Sequence, residues 1–247
     1  MIITEVARWF GNGAHWEGQT GVPTRLWQHV VISGEAMLVA AAIGLPIALV
    51  LGHLGRGGFL AVNVSNIGRA VPSFAILVLA AQVPAIGVGD KAALVALIAL
   101  ALPPIVTNAY VGMTTVDPDV TEAAEAMGMS GRQVLRRVEL PLALPLILAG
   151  LRTSAVQVVA TATLAAEVAA GGLGRYIVDG IAESDYTQVW AGALLVGILA
   201  LLVDGAFALG QRRASRASGR PLLPGQAVAD ADELATEVAI LEGAGTA

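Results

Sequence analysis

"TEAAEAMGMSGRQVLRRVELP", residues 121 to 141, is the one long polar interruption in a chain otherwise built mostly of Ala, Leu, Val and Ile. Asp119 stands three residues before Glu122, and Ser130 three before Gln133, a spacing in which side chains take up the free N–H groups of a helix start. Two short helices are predicted, about 120–127 and 131–139. Gly128 falls between them, and glycine adopts the left-handed turn that ends a helix at little cost. On the second helix Arg132 and Arg136 share a face at i, i+4 spacing, with Arg137 beside them, while Val134, Leu135 and Val138 form an apolar side. Pro141 opens the next apolar run, where its missing N–H is harmless. Such a bent knob is either a docking element or a solvated loop that happens to be helical.

Around the knob, composition decides the class. The 247 residues are 56% hydrophobic and 13% charged, with a mean hydropathy of +0.74. Soluble domains carry about 25% charged residues. The expectation is an all-α integral membrane protein of about five transmembrane helices. They fall at about Val30–Leu51, Phe59–Val83, Ala92–Val111, Leu142 towards Ala166, and Val189–Leu209. The first covers about 33 Å at 1.5 Å per residue, enough to cross a bilayer. The second is the weakest, because Asn63, Ser65, Asn66, Arg69 and Pro72 occupy its first half. That half belongs at the cytoplasmic surface or against partners, since lipid does not accept Arg69 cheaply. Before the last span, the glycine cluster of "AAGGLGRYIVDGIAESDY", residues 169–186, predicts close backbone approach and a partial re-entry.

Residues 1–29 then form an extracytoplasmic or interfacial segment, 30–210 the membrane domain with the elbow at 119–141, and 211–247 a basic end followed by an acidic tail. Trp9, Trp16 and Trp27 suit either the headgroup layer or packing against the bundle. The opening stretch lacks the basic start, apolar core and cleavage site of a signal peptide and is expected to be mature protein. Orientation follows from Lys and Arg near the span ends. With the N-terminus outside and the C-terminus inside, inner loops hold eight (Arg56, Arg132, Arg136, Arg137, Arg212, Arg213, Arg216, Arg220) and outer ones four (Arg8, Arg25, Lys91, Arg175). The net charge of −5 is concentrated beyond residue 216, where Arg220 faces five carboxylates. That end is expected to be a mobile tail.

Several function classes are excluded. There are no cysteines, and His15, His29 and His53 are far apart, so no metal site is expected. Nucleic acid is not an expected partner, because no basic surface large enough to hold its phosphates is expected. The single lysine, Lys91, follows Asp90 and cannot belong to a GxxxxGK phosphate loop; GxSxG and HExxH are also missing, so no catalytic residue is expected.

Glu122-Ala123-Ala124, three residues, Gly128, nine residues, Val138, one residue and Leu140-Pro141 resemble the "EAA" loop of ATP-binding-cassette importer permeases, with Val where Ile is usual. The stretches "NIGRAVPSFAILVL" (66–79), "PPIVTNAYVGM" (103–113), "ELPLALPLILAGLRT" (139–153) and "AAGGLGRYIVDG" (169–180) are most similar to the permeases for glycine betaine, choline and carnitine. Methionine-importer permeases share the elbow and a glycine-rich turn.

The resemblance implies a five-span type I importer permease in the cell membrane, pairing with a second copy or a paralogue. Two cytoplasmic ATPases, carrying ATP and Mg, and an extracytoplasmic substrate-binding protein complete the implied assembly; this chain itself would hold no cofactor. The elbow residues Glu122, Ala123, Ala124, Gly128, Arg132, Arg136, Leu140 and Pro141 would then engage the ATPase. Aromatics are only 4% of the chain, so a selective cage for a quaternary ammonium is expected on the binding protein. With 37 residues after position 210, the binding protein is expected to be a separate chain.

Intramembrane ionisable groups are functional candidates by default, and here they are Glu35, Arg69, Arg152, Glu167 and Asp204. Arg69 and Arg152 either anchor span ends or pair with carboxylates, and Asp204 either fixes helix packing or serves transport. Glu167 follows a mildly polar face of Gln157, Thr161 and Thr163, which marks Gln157, Thr161 and Glu167 as substrate-path candidates. Asn108, beside Thr107 and Pro103-Pro104, either lines the passage or bonds between helices. Intramembrane acids would equally suit an ion-coupled secondary transporter.

Overall fold

The computed structural model describes residues 2–55 and 71–217, with side chains through residue 213. Among the described residues there is no strand. In chain order the elements are α1 (Ile2–Gly11), a 3-10 turn (Gly13–Trp16), α2 (Val22–His53), α3 (Ser73–Gln82), α4 (Asp90–Thr114), α5 (Pro118–Ala126) and α6 (Gly131–Val134). A π turn (Leu135–Glu139) joins α6 to α7 (Leu140–Thr161), and a 3-10 segment (Ala162–Val168), α8 (Gly174–Glu183) and α9 (Tyr186–Ala217) follow.

Four of the helical runs described are long and apolar enough to cross a membrane: Val22–His53, Asp90–Thr114, Gly131–Val168 and Tyr186–Arg213. The shorter α3 is apolar too and forms the later part of the expected second span; the polar half of that span, with Arg69, lies outside the described residues. The expected acidic tail beyond 217 does as well.

Three boundaries differ from the sequence expectation. The first span begins at Val22 rather than Val30, because Pro23 sits in the first turn, where its fixed φ is pre-set for a helix. At 32 residues α2 is about 48 Å long, so part of it stands beyond the hydrocarbon. The last span runs on past Leu209 to Ala217. The fourth does not start afresh near Leu142: the helical run is continuous from Gly131 to Val168. A register change replaces the break. Pro141 has no N–H to give, and just before it the Leu140 N–H bonds the Leu135 carbonyl five residues back, which widens the turn instead of ending the helix.

Small residues hold the rods together. α2 packs most extensively on α4, α4 on α7, and α7 on α9. A Cβ added at Gly44 would meet Ile105 and Val106 at 3.2 Å, one at Gly52 would collide with Met113, and one at Gly150 would lie 2.7 Å from Asn108 Cβ and 2.8 Å from the Pro104 carbonyl. Ala36, Ala40, Ala92, Ala101 and Ala165 fill the main core. With no hydrophobic drive between helices in lipid, such residues let backbones approach closely.

The extramembrane elements fold back on one end. Trp9 is buried, stacked on His15 at 4.1 Å and edge-on to Tyr176 at 5.3 Å, so it packs against the bundle. Trp27 is 69% exposed and Trp16 44%. The glycine-rich segment leads into α8, a short helix whose Arg175 and Asp179 pair at 2.6 Å, one turn apart.

Candidate functional site

The elbow is built as a closed corner. α5 starts two residues earlier than the Asp-x-x-Glu spacing suggests: Asp117 is the cap, its Oδ1 accepting the Asp119 N–H at 2.9 Å, with Pro118 in the first turn. At the other end the Gly128 N–H donates to the Glu125 carbonyl at 2.8 Å and the Met129 N–H to the Ala124 carbonyl at 3.2 Å, the paired closure of a left-handed helix stop. Gly128 has φ +84°, a conformation that favours glycine. The Gln133 side chain then accepts the Ser130 N–H at 2.8 Å and starts the second helix.

This corner presents a mixed surface. Glu122, Ala123, Arg132, Arg136 and Pro141 are exposed, and Met127 is 77% exposed at the tip. Ala124 and Val134 are buried between the two arms, and Leu140 is half-buried. α6, the π turn and α7 form one continuous helical run, so the corner passes without a break into a helix long and apolar enough to cross a membrane; α5 connects the corner to α4.

The four substrate-path candidates do not converge within the chain. Asn108 donates from Nδ2 to the Pro104 carbonyl of its own helix at 2.8 Å, in the contact with Gly150, so it serves packing between α4 and α7 without bonding across it. Thr161 faces a small space beside Ser73 and Leu97, whereas Gln157 lines an open cleft of about 520 Å³ with Arg152, Thr153 and Asp204. Glu167 is exposed on the 3-10 segment. Arg152 and Asp204 are a pair, which decides between their alternatives in favour of helix-to-helix pairing. Glu35 lies with Trp27, Gln28 and Asp90 along a second cleft of about 250 Å³.

Sequence reasoning missed the junction around His29. The ring is fully buried; Nε2 donates to the Val159 carbonyl at 2.9 Å and Nδ1 accepts the Leu173 N–H at 3.3 Å, which fixes a neutral tautomer. Gln28 Oε1 accepts the Gly172 N–H at 3.0 Å. Gly172 has φ +99°, and an added Cβ at Gly174 would collide with the Thr163 backbone, so these glycines let the turn close on α2 and on the 3-10 segment after α7. The available signal was a histidine beside an apolar run, but its partners lie 130 and 144 residues away.

Residues 41–216 match the family model described as the binding-protein-dependent transport system inner membrane component. The chain belongs to this family. Among curated relatives it is 39% identical over 185 residues to the carnitine transport permease protein OpuCB of Listeria monocytogenes, covering 75% of this chain and 83% of that one. It is 35% identical over 189 residues to the choline transport system permease protein OpuBB of Bacillus subtilis (strain 168), covering 76% and 86%. Against the osmoprotectant import permease protein OsmY of Salmonella typhimurium the identity is 36% over 190 residues, covering 76% and 80%. An inward-facing MetNI methionine transporter structure superposes with a TM-score of 0.66 at 25% identity, covering 77% of this chain and 94% of that one. The fold is therefore that of ABC importer permeases, an integral membrane subunit, and an ion-coupled secondary transporter is not favoured.

Proposed function

We propose that this permease conducts a small osmoprotectant of the choline, carnitine or glycine betaine class across the cytoplasmic membrane, driven by separate ATPase subunits. The carrying observation is the elbow: a corner closed at Gly128 and continuous with α7, in a chain 35–39% identical to permeases named for choline and carnitine transport. Glu122, Ala123, Gly128, Arg132 and Arg136 face the ATPase, while Ala124, expected from the sequence to do the same, is buried inside the corner and lets its two arms close; Leu140 and Pro141 lie at the root of the lever. ATP and Mg bind to that partner, and hydrolysis occurs there. Closure of two ATPases pushes the elbows and tilts α4 and α7 as rigid bodies, alternating access between the sides. A second permease copy or paralogue supplies the other half of the passage, and an extracytoplasmic binding protein delivers the solute. The N-terminus lies outside and the basic end of α9 inside, as the distribution of arginines favours.

Reconstitution tests this reading. Vesicles containing the permease, its ATPase and its binding protein take up radiolabelled choline, carnitine or glycine betaine only with ATP and only with all three present. Uptake without the ATPase overturns the coupling, and ATP-driven uptake of methionine in preference to every quaternary amine overturns the substrate class. Glu122→Arg leaves membrane insertion intact and abolishes ATP-driven uptake.

A further inference from the structure

The elbow is joined covalently to α4 and α7 but not to α2, yet α2 ends beside it. His53, the last residue of α2, places Nδ1 2.6 Å from Oε2 of Glu139, the last residue of the π turn. The two are 86 residues apart in sequence. Glu139 is 9% exposed, and burying a carboxylate is costly without a donor. The short distance is that of a charge-assisted hydrogen bond. Just above, Gly52 packs directly against Met113 of α4, an apolar contact with no hydrogen bond or charge to fix its register. This hydrogen bond links the end of α2 to the elbow. It attaches where the elbow's second arm becomes α7.

Resting on the elbow reading above, we propose that His53 and Glu139 form a positioning strut that carries displacement of the elbow into α2, so that the first span moves with α4 and α7 during transport. The pair touches neither solute nor nucleotide. Its effect is on how much transport each ATP yields, rather than on whether the ATPase docks. Satisfaction of a buried carboxylate alone would alter assembly and leave that yield unchanged.

The test uses the full complex of permease, ATPase and binding protein in vesicles, with radiolabelled choline as probe and phosphate release measured in parallel. His53→Ala and Glu139→Ala each keep the ATPase bound and hydrolysing, while choline taken up per ATP falls about two- to thirtyfold, the range for residues that modulate coupling. The double variant is no worse than the poorer single one, because both remove the same link. Glu139→Gln, which keeps an acceptor for Nδ1, retains most of the yield. Should the alanine variants fail to assemble, the paired His53→Gln and Glu139→Gln variant replaces the imidazole–carboxylate hydrogen bond with an amide pair and stays within about twofold of the native yield. An unchanged yield in assembled alanine variants, multiplicative losses in the double variant, or an assembled glutamine pair that loses more than this overturns the strut. Native uptake that needs no ATPase instead overturns the function proposed above.

Discussion

Arg152 of α7 meets Asp204 of α9 at two points, Nε to Oδ1 at 2.7 Å and Nη2 to Oδ2 at 2.7 Å. The parallel geometry uses both ends of the guanidinium fork, which lysine cannot reproduce. The side chains remain 35% and 37% exposed along the open cleft that also includes Gln157. Seven residues further along α9, Gln211 donates to the Pro145 carbonyl at 3.2 Å, so two polar contacts pin the same pair of helices.

Breaking one side of this pair leaves the other charge stranded within a span. Arg152→Leu or Asp204→Leu is expected to lower the melting temperature in detergent by several degrees and to reduce membrane yield. Changing both to leucine recovers much of the loss. A double variant less stable than either single one shows that the two side chains do not act as a pair.

Tyr176 donates its hydroxyl to the Thr20 carbonyl at 2.6 Å, holding α8 to the segment before α2. Burial raises the phenol above its ordinary range near 10, opposed in part by Arg25. The folded phenol keeps its proton to higher pH than the unfolded one. Its contribution is therefore full below about pH 10 and lost as pH climbs through the raised value. Tyr176→Phe is expected to lose about 1 kcal/mol at neutral pH. It should also show a shallower fall in stability above about pH 10, checked by thermal unfolding across the alkaline range.

The junction at His29 predicts a larger effect. His29→Leu fills the space but leaves the Val159 carbonyl and the Leu173 N–H without their side-chain partner, at a cost of about 2–4 kcal/mol. Its melting temperature should fall further than that of Tyr176→Phe. A variant as stable as the native protein shows that other groups or water satisfy both atoms.

Two glycines separate packing from backbone conformation. Gly150→Ala must push α7 from Asn108 and Pro104, an overpacking cost of about 1–3 kcal/mol. Nothing lies within 4 Å of a Cβ added at Gly128, but φ there is +84°. Gly128→Val is thus expected to change the elbow angle and lower ATP-driven uptake, with a stability cost of about 1–3 kcal/mol that comes from backbone strain and not from overpacking. Parallel melting and uptake measurements distinguish the two.

What the sequence showed was local. Ser130 and Gln133, Gly128 and the apolar runs act over one or two turns, so the elbow, the all-helical fold and most span positions were readable. The start of α2 was missed because Gln28 and His29 look like interfacial residues until their partners near Leu173 are known. The π turn depends on Pro141 together with packing on both sides. Arg152, Asp204, His53 and Glu139 were each visible, but pairing across 52 and 86 residues is set by how the rods assemble. Gln157 and Thr161 lie one turn apart on α7, whereas Asn108 belongs to α4 and Glu167 follows the tightening of the chain into a 3-10 segment, so spacing along one strip of sequence could not bring the four together.

The central claim, that the Gly128 corner is a cytoplasmic lever against an ATPase, is tested most directly by site-specific crosslinking. The chain has no native cysteine, so Ala123→Cys carries the sole thiol. The account predicts that it crosslinks to the ATPase subunit in assembled membranes and resists impermeant thiol reagents applied from outside. Labelling from outside, or a thiol that crosslinks to no ATPase in a complex that transports, contradicts it.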